Sequence, residues 1–381
     1  MKRGCVVKMY PTKEQKRQII QNCHLNRYIY NYALDCWNTM YQLGIKTSSY
    51  DIINTLPTLK KEKPFLKQGD AWSYTNTIRN LNDAFSRFFK KQNSRPAFKK
   101  KKYISSGSYK PQYQNVKLEK NKIKIPKIGY VRIRGLRDDY FKQGKFKSCV
   151  IKHNPDDSIT CSILFDLPDD FNTPFIEKKQ IGIDLGVKIW IQESTGKSIH
   201  QVDLDKEISK LKKYEKQRDK KRYKSNKHKK KQIQLNKIHK KINNKKTDQI
   251  NKITSSYKKE GTSVIHENIN TSKMYNKKKR NLNKNIQEQN WYQFISTLST
   301  KVKTTVVEKA YTSIECSNCH STRTKRENQS EFSCLECGLK INADYNASVN
   351  ILNRGIHGVS LNMKEIGEIV ASQQDLSSLY S

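Results

Sequence analysis

Cys316-Ser-Asn-Cys319 and Cys334-Leu-Glu-Cys337 are two C-x2-C pairs with fourteen residues between them. Nothing else in the chain restricts its folding as strongly. Two such knuckles facing each other converge four thiolates tetrahedrally, which suits Zn²⁺ at about 2.3 Å per sulfur. Gly338 follows the second knuckle, where a tight backbone turn is needed, and Phe332 sits between the knuckles on an expected strand. Four thiolates leave no open coordination position, so this zinc is expected to be structural. His320 is a neighbour of the knuckle and no ligand. The other five cysteines (Cys5, Cys23, Cys36, Cys149 and Cys161) are scattered without pairing logic. They read as reduced, mostly buried thiols of an intracellular protein.

Charge supplies the second constraint. The 381 residues carry 75 Lys and Arg against 35 Asp and Glu, a formal net charge of +40. Self-repulsion of that size calls for a polyanion, and nucleic acid is the common one inside cells. A biased genome would raise Lys and Asn, but it would not hold the acids to half the basic count. No stretch approaches the ~18 unbroken apolar residues of a membrane span. The start, MKRGCVVKMYPTKEQ, has no apolar run, so no secretory signal is expected.

Residues 3–9 read as a short strand, and Thr12 with Gln15 has capping-box spacing for a helix to about residue 43. A second helix is predicted from about Ala71 to Lys91, with Tyr74, Ile78, Leu81, Phe85 and Phe88 as its packing stripe. Residues 115–134 alternate as strands, and 147–166 read as a hairpin turning at Asn154-Pro155-Asp156-Asp157. The first half is thus a small β-barrel or sandwich with residues 11–93 inserted as helices. Leu167–Lys179 is the expected linker.

Residues 180–193 return to strand. From Asp203 to Lys259 the chain is predicted helical, with 20 Lys or Arg and 4 acids between Lys206 and Lys252. Ile208, Leu211, Ile233, Ile238, Ile242, Ile250 and Ile253 suggest a helical hairpin with a thin apolar seam. One sign of charge over so long a stretch favours a phosphate-tracking surface over a merely solvated face. A strand over Thr262–Glu267, a helix over about Ile286–Lys301 and a strand over Thr304–Lys309 precede the cysteines.

Three acids occupy unusual addresses. Asp184 lies mid-strand in IGIDLG, and its same-face neighbours Gly182 and Gly186 leave bare space for an ion and a phosphate. Glu267 ends the apolar strand SVIHEN, and Asp344 opens a helix in NADYNASVNIL, with Ala347 and Ile351 on one face. Each also admits a plain structural role: Asp344 as a helix N-cap, Glu267 as a strand-end surface acid, Asp184 as a turn former. Converging carboxylates repel unless a divalent cation sits among them, so their joint placement favours Mg²⁺ or Mn²⁺.

GIDLG, IHEN and the run from TSIECSNC through FSCLECGLKINADYNASVNIL resemble the TnpB and Fanzor transposon-associated nucleases, relatives of the type V CRISPR effectors. MYPTKEQ, AFSRFFKK, RPAFKKKK, IPKIGYVRIRG and WYQF fall in the family's order, so the resemblance covers nearly the whole chain. It implies an α+β multidomain protein. Residues 1–10 and 94–170 would form a wedge-type β-barrel, and 11–93 a helical recognition insertion. Residues 175–310 and 338–357 would form a RuvC-like nuclease domain of RNase H fold, with 311–337 as an inserted zinc ribbon and 358–381 as a poorly ordered tail.

By the same resemblance Asp184, Glu267 and Asp344 match the catalytic, metal-holding positions, and Cys316, Cys319, Cys334 and Cys337 the zinc ligands. Asn342 stands where many relatives carry an acid. The implied partners are a guide RNA from the transposon end and target double-stranded DNA, bound by a monomer in the cytoplasm, nucleoid or nucleus. Because base pairing supplies specificity, the protein needs a basic channel that reads backbone shape. Expected contacts are Trp72, Asn76, Arg79, Lys99, Lys100, Lys101, Lys102, Arg218, Lys221, Arg222, Lys229 and Lys230. Two alternatives are a catalytically silent RNA-guided repressor and a guide-independent nuclease on the same fold.

Overall fold

The computed structural model describes residues 1–100, 106–171, 175–269, 283, 288–326, 328 and 330–357. Lys101, Lys102 and the tail from 358 lie outside the described residues. The chain divides into two compact units: Met1–Thr173 with Glu207–Lys240, and Pro174–Lys206 with the chain from Lys241 onward.

The first unit is organised around β1 (Lys2–Tyr10), which alternates strictly: Cys5, Val7 and Met9 are buried while Val6, Lys8 and Tyr10 face out. Helix α1 (Lys13–Gln42) begins at the expected capping box of Thr12 and Gln15. Gln15 also donates to the carbonyls of Ile128 and Tyr130 at 3.3 and 2.9 Å, fastening the helix start to the sheet. Short helices α2 (Ser49–Asn54) and α3 (Leu56–Glu62) lead to α4 (Ala71–Phe89). On α4 the stripe Tyr74, Ile78, Leu81 and Phe85 is buried as its spacing predicts. Helix α1 serves two cores. Ile19 and Cys23 pack with the sheet, whereas Leu25, Ile29, Ala33 and Leu34 pack with α2, α3 and α4.

Strands β2 (Gly107–Tyr109), β3 (Lys117–Leu118), β4 (Lys122–Ile125) and β5 (Gly129–Arg134) follow, then helix α5 (Asp138–Gln143) and the hairpin β6 (Lys145–His153) with β7 (Ile159–Asp166). They form one antiparallel sheet in the order β2-β6-β7-β1-β5-β4-β3, with apolar side chains gathered on a single face.

Strands β8 (Lys179–Asp184), β9 (Ile191–Glu193) and β10 (Ser198–Ile199) precede helices α6 (Asp205–Asp219) and α7 (Asn226–Glu260). The division between units falls inside α7. Its first half docks on the β6–β7 turn, where Asn236 donates to the Pro155 carbonyl at 2.8 Å and Lys240 reaches Asp156 at 3.0 Å. Polar pairs also join α6 and α7, Lys231 to Gln217 and Arg218 to Gln232. Ile208 is exposed and Glu207 beside it is buried. The helices turn toward what each packs on, a choice that local spacing does not encode.

The second unit continues with β11 (Thr262–Glu267), α8 (Trp291–Ser299), β12 (Thr304–Val307), β13 (Thr324–Arg326), β14 (Glu331–Cys334), β15 (Lys340–Asn342) and α9 (Ala343–His357). Helix α8 begins after Asn290, which takes a left-handed φ of 56°, and the expected start at Ile286 lies outside the described residues. The main sheet runs β10-β9-β8-β11-β12, with β8, β9 and β10 antiparallel and β8, β11 and β12 parallel. In order of appearance this is 3-2-1-4-5. Ile181, Ile183 and Val264 point into a core with Trp190, Ile250, Tyr257, Trp291, Phe294 and Leu298. The alternate residues point to the opposite face, which α9 covers.

Candidate active site and cysteine cluster

Parallel register brings the first two acids together. His266 pairs with Ile183, so the next residues along β11 and β8, Glu267 and Asp184, stand side by side at the strand ends. Both lie on the α9 face. A Cβ on Gly182 would overlap the Ser348 carbonyl oxygen and come within 2.5 Å of the Leu352 nitrogen. A Cβ on Gly355 would meet Ile265 at 2.5 Å. These glycines let the backbone of α9 lie directly on the sheet. This corrects the reading of Gly182 as open space for an ion and phosphate, since the helix fills it. The close approach instead carries the first turn of α9, with Asp344, to the same end of the sheet. An added Cβ at Gly186 would stand 3.9 Å from Asp344 Oδ2.

Asp344 does not cap α9. Asn342 Oδ1 accepts from the backbone N–H groups of Asp344 and Tyr345 at 2.9 and 3.1 Å, which is the capping geometry. The residue that departs from the family pattern therefore has a structural task, and the Asp344 carboxylate is left to other work. Asp184 ends a strand and forms no turn, and Glu267 is half-buried.

All three carboxyls are shifted upward, and Asp184 feels the charges of the other two. Burial, then the charges of Glu267 and Asp344, raise the Asp184 carboxyl from 3.8 to about 7. Burial also raises Glu267, against the hydrogen bond it accepts from Thr312. Burial raises Asp344, opposed by Arg326 and Lys188. Clustered acids pushed upward in this way are a mark of sites that handle charge. Among the described residues the carboxylates do not close to within 4.8 Å as a set, whereas the cysteines do.

Cys316, Cys319, Cys334 and Cys337 bring their sulfurs within 4.8 Å of one another, with Cys316 to Cys337 at 3.7 Å and Cys319 to Cys334 at 3.5 Å. Four sulfurs about 2.3 Å from a shared centre stand about 3.8 Å apart, so the donor set fits Zn²⁺. Phe332 is buried in β14 beneath the knuckles, as its position suggests. The cluster is fastened to α9. Asn346 accepts from the Ser317 backbone at 2.9 Å and donates to the Glu315 carbonyl at 2.7 Å. Arg354 pairs with Glu315 at 2.6 Å, both largely buried. Sequence reasoning missed this network. Its available signal was Asn346, Asn350 and Arg354 at four-residue steps, a polar stripe on a mostly buried helix.

The expected nucleic-acid contacts divide. Trp72 is exposed on the first turn of α4, with the Arg79 guanidinium 5.8 Å from its ring and Asn76 bonded to its carbonyl. Lys99 is held inward, its ammonium 3.6 Å from the Tyr30 ring centre and its backbone bracketed by Asn31. Lys100 lines a groove with Arg27 and Lys152. Arg218 is engaged by Asp219, whereas Lys221, Arg222, Lys229 and Lys230 are exposed.

One basic surface escaped the sequence reading. The outward face of β1, β5 and β4 carries Lys8, Tyr10, Tyr130, Arg132, Arg134, Lys122 and Lys124. Arg132 pairs with Lys122 across strands, and Lys8 with Arg134. Like charges opposite one another destabilise a sheet, so folding alone does not explain them. The signal was there in the alternation of KIKI and GYVRIR.

Residues 291–351 match the Cas12f1-like TNB domain family, and residues 1–46 match a helix-turn-helix domain family of IS605 OrfB proteins. The latter stretch forms β1 and the unbroken α1 here. A curated protein of Escherichia coli (strain K12), provisionally named RNA-guided DNA endonuclease InsQ, is 27% identical over 377 residues, covering 92% of this chain and 90% of that one. A Streptomyces pristinaespiralis protein, provisionally named an RNA-guided DNA endonuclease, is 25% identical over 372 residues, covering 93% and 90%. Among solved structures, Cas12f1 in complex with sgRNA and target DNA aligns with a TM-score of 0.51 at 16% identity, over 90% of this chain and 83% of that one. The fold is therefore of the Cas12f type, with mixed α and β content. Together these matches make the chain similar to TnpB-like proteins.

Proposed function

We propose that this chain is an RNA-guided DNA endonuclease whose Asp184, Glu267 and Asp344 form one divalent-metal site in a RuvC-like domain of RNase H fold. The observation that carries the reading is the gathering of three acids from β8, β11 and α9 at one end of the strands of a sheet ordered 3-2-1-4-5. Residues 311–337 act as a structural zinc ribbon. The sheet of the first unit is the wedge-type element, and α1 to α4 form its recognition insertion.

The upward-shifted acids fit a hard cation, because all three donors are carboxylate oxygens and a divalent ion removes their repulsion. Bound there, Mg²⁺ or Mn²⁺ would neutralise the scissile phosphate and supply a low-pKa water. The chain's own residues do the rest. The cap on Asn342 leaves the Asp344 carboxylate free, and Thr312 orients Glu267. Arg326 and Lys188 offset charge near Asp344. The basic face with Tyr10 and Tyr130 and the Lys-rich helices α6 and α7 suit phosphate contacts to a guide RNA from the element end and to target DNA.

The test is to express the protein with its flanking DNA, sequence the co-purifying RNA and redirect it to a new target. One discrete RNA, and cleavage that follows the guide and is absent in Asp184→Ala, is the expected result. A smear of host RNA would remove the guided reading. Guided binding with no cleavage by the wild type would instead make the chain a repressor.

A further inference from the structure

We infer that Thr312 is a positioning residue that engages one carboxylate oxygen of Glu267 so that the other is presented to the divalent-metal site; the inference rests on the metal-site reading above. Thr312 lies between β12 and the first cysteine knuckle and is 2% exposed. Its hydroxyl donates to Glu267 Oε1 and also lies 3.1 Å from the Lys309 carbonyl. Its own carbonyl accepts from Asn350 Nδ2 at 2.9 Å. The same Asn350 amide donates to the Glu315 carbonyl at 2.7 Å. One residue thus holds the acid of β11 through its side chain and the helix bearing Asp344 through its main chain.

The chemistry gives this contact a direction. A hydroxyl carries one proton, and an ionised carboxylate is a stronger acceptor than a backbone carbonyl. With Oε1 engaged, Oε2 is the oxygen left for a cation. Folding alone does not require the contact. Thr254 and Thr297 satisfy their hydroxyls on carbonyls four residues earlier in their own helices. Thr312 has a local carbonyl available and still reaches an acid 45 residues away in sequence. Groups that orient a metal-binding carboxylate in this manner strongly affect metal affinity.

The measurement is Mn²⁺ binding to the full chain, read from the electron paramagnetic resonance signal of free Mn²⁺, with zinc content and circular dichroism taken on the same samples. Thr312→Val keeps the shape and removes the hydroxyl. It should weaken Mn²⁺ binding about 10- to 100-fold with zinc and fold retained, while Thr312→Ser stays within about threefold of wild type. Wild-type binding in Thr312→Val, or equal loss in Thr312→Ser, overturns the inference. Should Thr312→Val lose zinc, Asn350→Ala takes its place: weaker Mn²⁺ binding with zinc retained supports the inference, and unchanged binding overturns it. Asp184→Asn is the control. Loss of binding there with none in Thr312→Val removes the positioning role alone, whereas no loss in either removes the metal site and the inference together.

Discussion

Replacing Asp184 by Asn should stabilise the metal-free protein, and the gain should depend on pH in a defined direction. The rise of this carboxyl from 3.8 to about 7 corresponds to about 4 kcal/mol against the ionised form. Asp184 keeps some solvent contact, which screens part of that, so about 2–4 kcal/mol is expected. The sign follows from proton uptake. Below about pH 4 the acid is protonated in both folded and unfolded chains and contributes nothing. Between about pH 4 and 7 the unfolded chain ionises while the folded one holds its proton, so wild-type stability falls as pH rises. Above pH 7 the full penalty is present. Asn carries no such penalty, so its advantage grows from near zero at about pH 4 to its full size at pH 8, with Mg²⁺ absent. Urea unfolding is followed by the fluorescence of buried Trp190 and Trp291 of this second unit, with Trp37 and Trp72 of the first unit replaced by Phe in both proteins. Metal-free buffer should be prepared on a resin, because a strong chelator would strip the cysteine site. Adding Mg²⁺ should stabilise wild type and leave Asp184→Asn nearly unmoved. Parallel pH curves for the two proteins would refute the claim that the three acids crowd one another.

Gly182→Ala should destabilise by about 1–3 kcal/mol or more, because the new methyl meets the Ser348 carbonyl and the Leu352 nitrogen, backbone atoms that cannot swing away. Urea midpoints measure it, and wild-type stability would mean that α9 does not lie on β8. Cys334→Ser should drop zinc below about one per chain and reduce amide protection along α9, read by metal analysis and hydrogen exchange. Unchanged zinc would refute the site. Asn342→Ala should cost about 1 kcal/mol through loss of the α9 cap, while Asn342→Asp retains most of it. A neutral Ala variant would show that another group caps the helix.

Features set by neighbours in sequence are legible from spacing alone. The capping box at Thr12 and Gln15, the stripe on α4, the hairpin over Asn154–Asp157 and strand Thr262–Glu267 all depend on local pattern, and they stand where that pattern puts them. The cysteine pairs belong here too, since two tight knuckles admit few arrangements. The three acids are legible as candidates because a charged residue on an apolar strand needs a reason.

Distance along the chain hides the rest. Which face of α6 turns inward, where Ile208 yields to Glu207, depends on what that helix packs against. The meaning of Gly182 reverses, because a missing side chain reads as empty space unless a helix 166 residues later occupies it. Asn342 passes for a mere departure from a pattern, yet its oxygen holds two backbone N–H groups. Thr312, Asn350, Glu315 and Arg354 carry no motif of their own. Hydrogen bonds between distant segments leave no periodic trace in the sequence, so the set that holds Glu267 and Asp344 in place emerges only when the strands and α9 are packed.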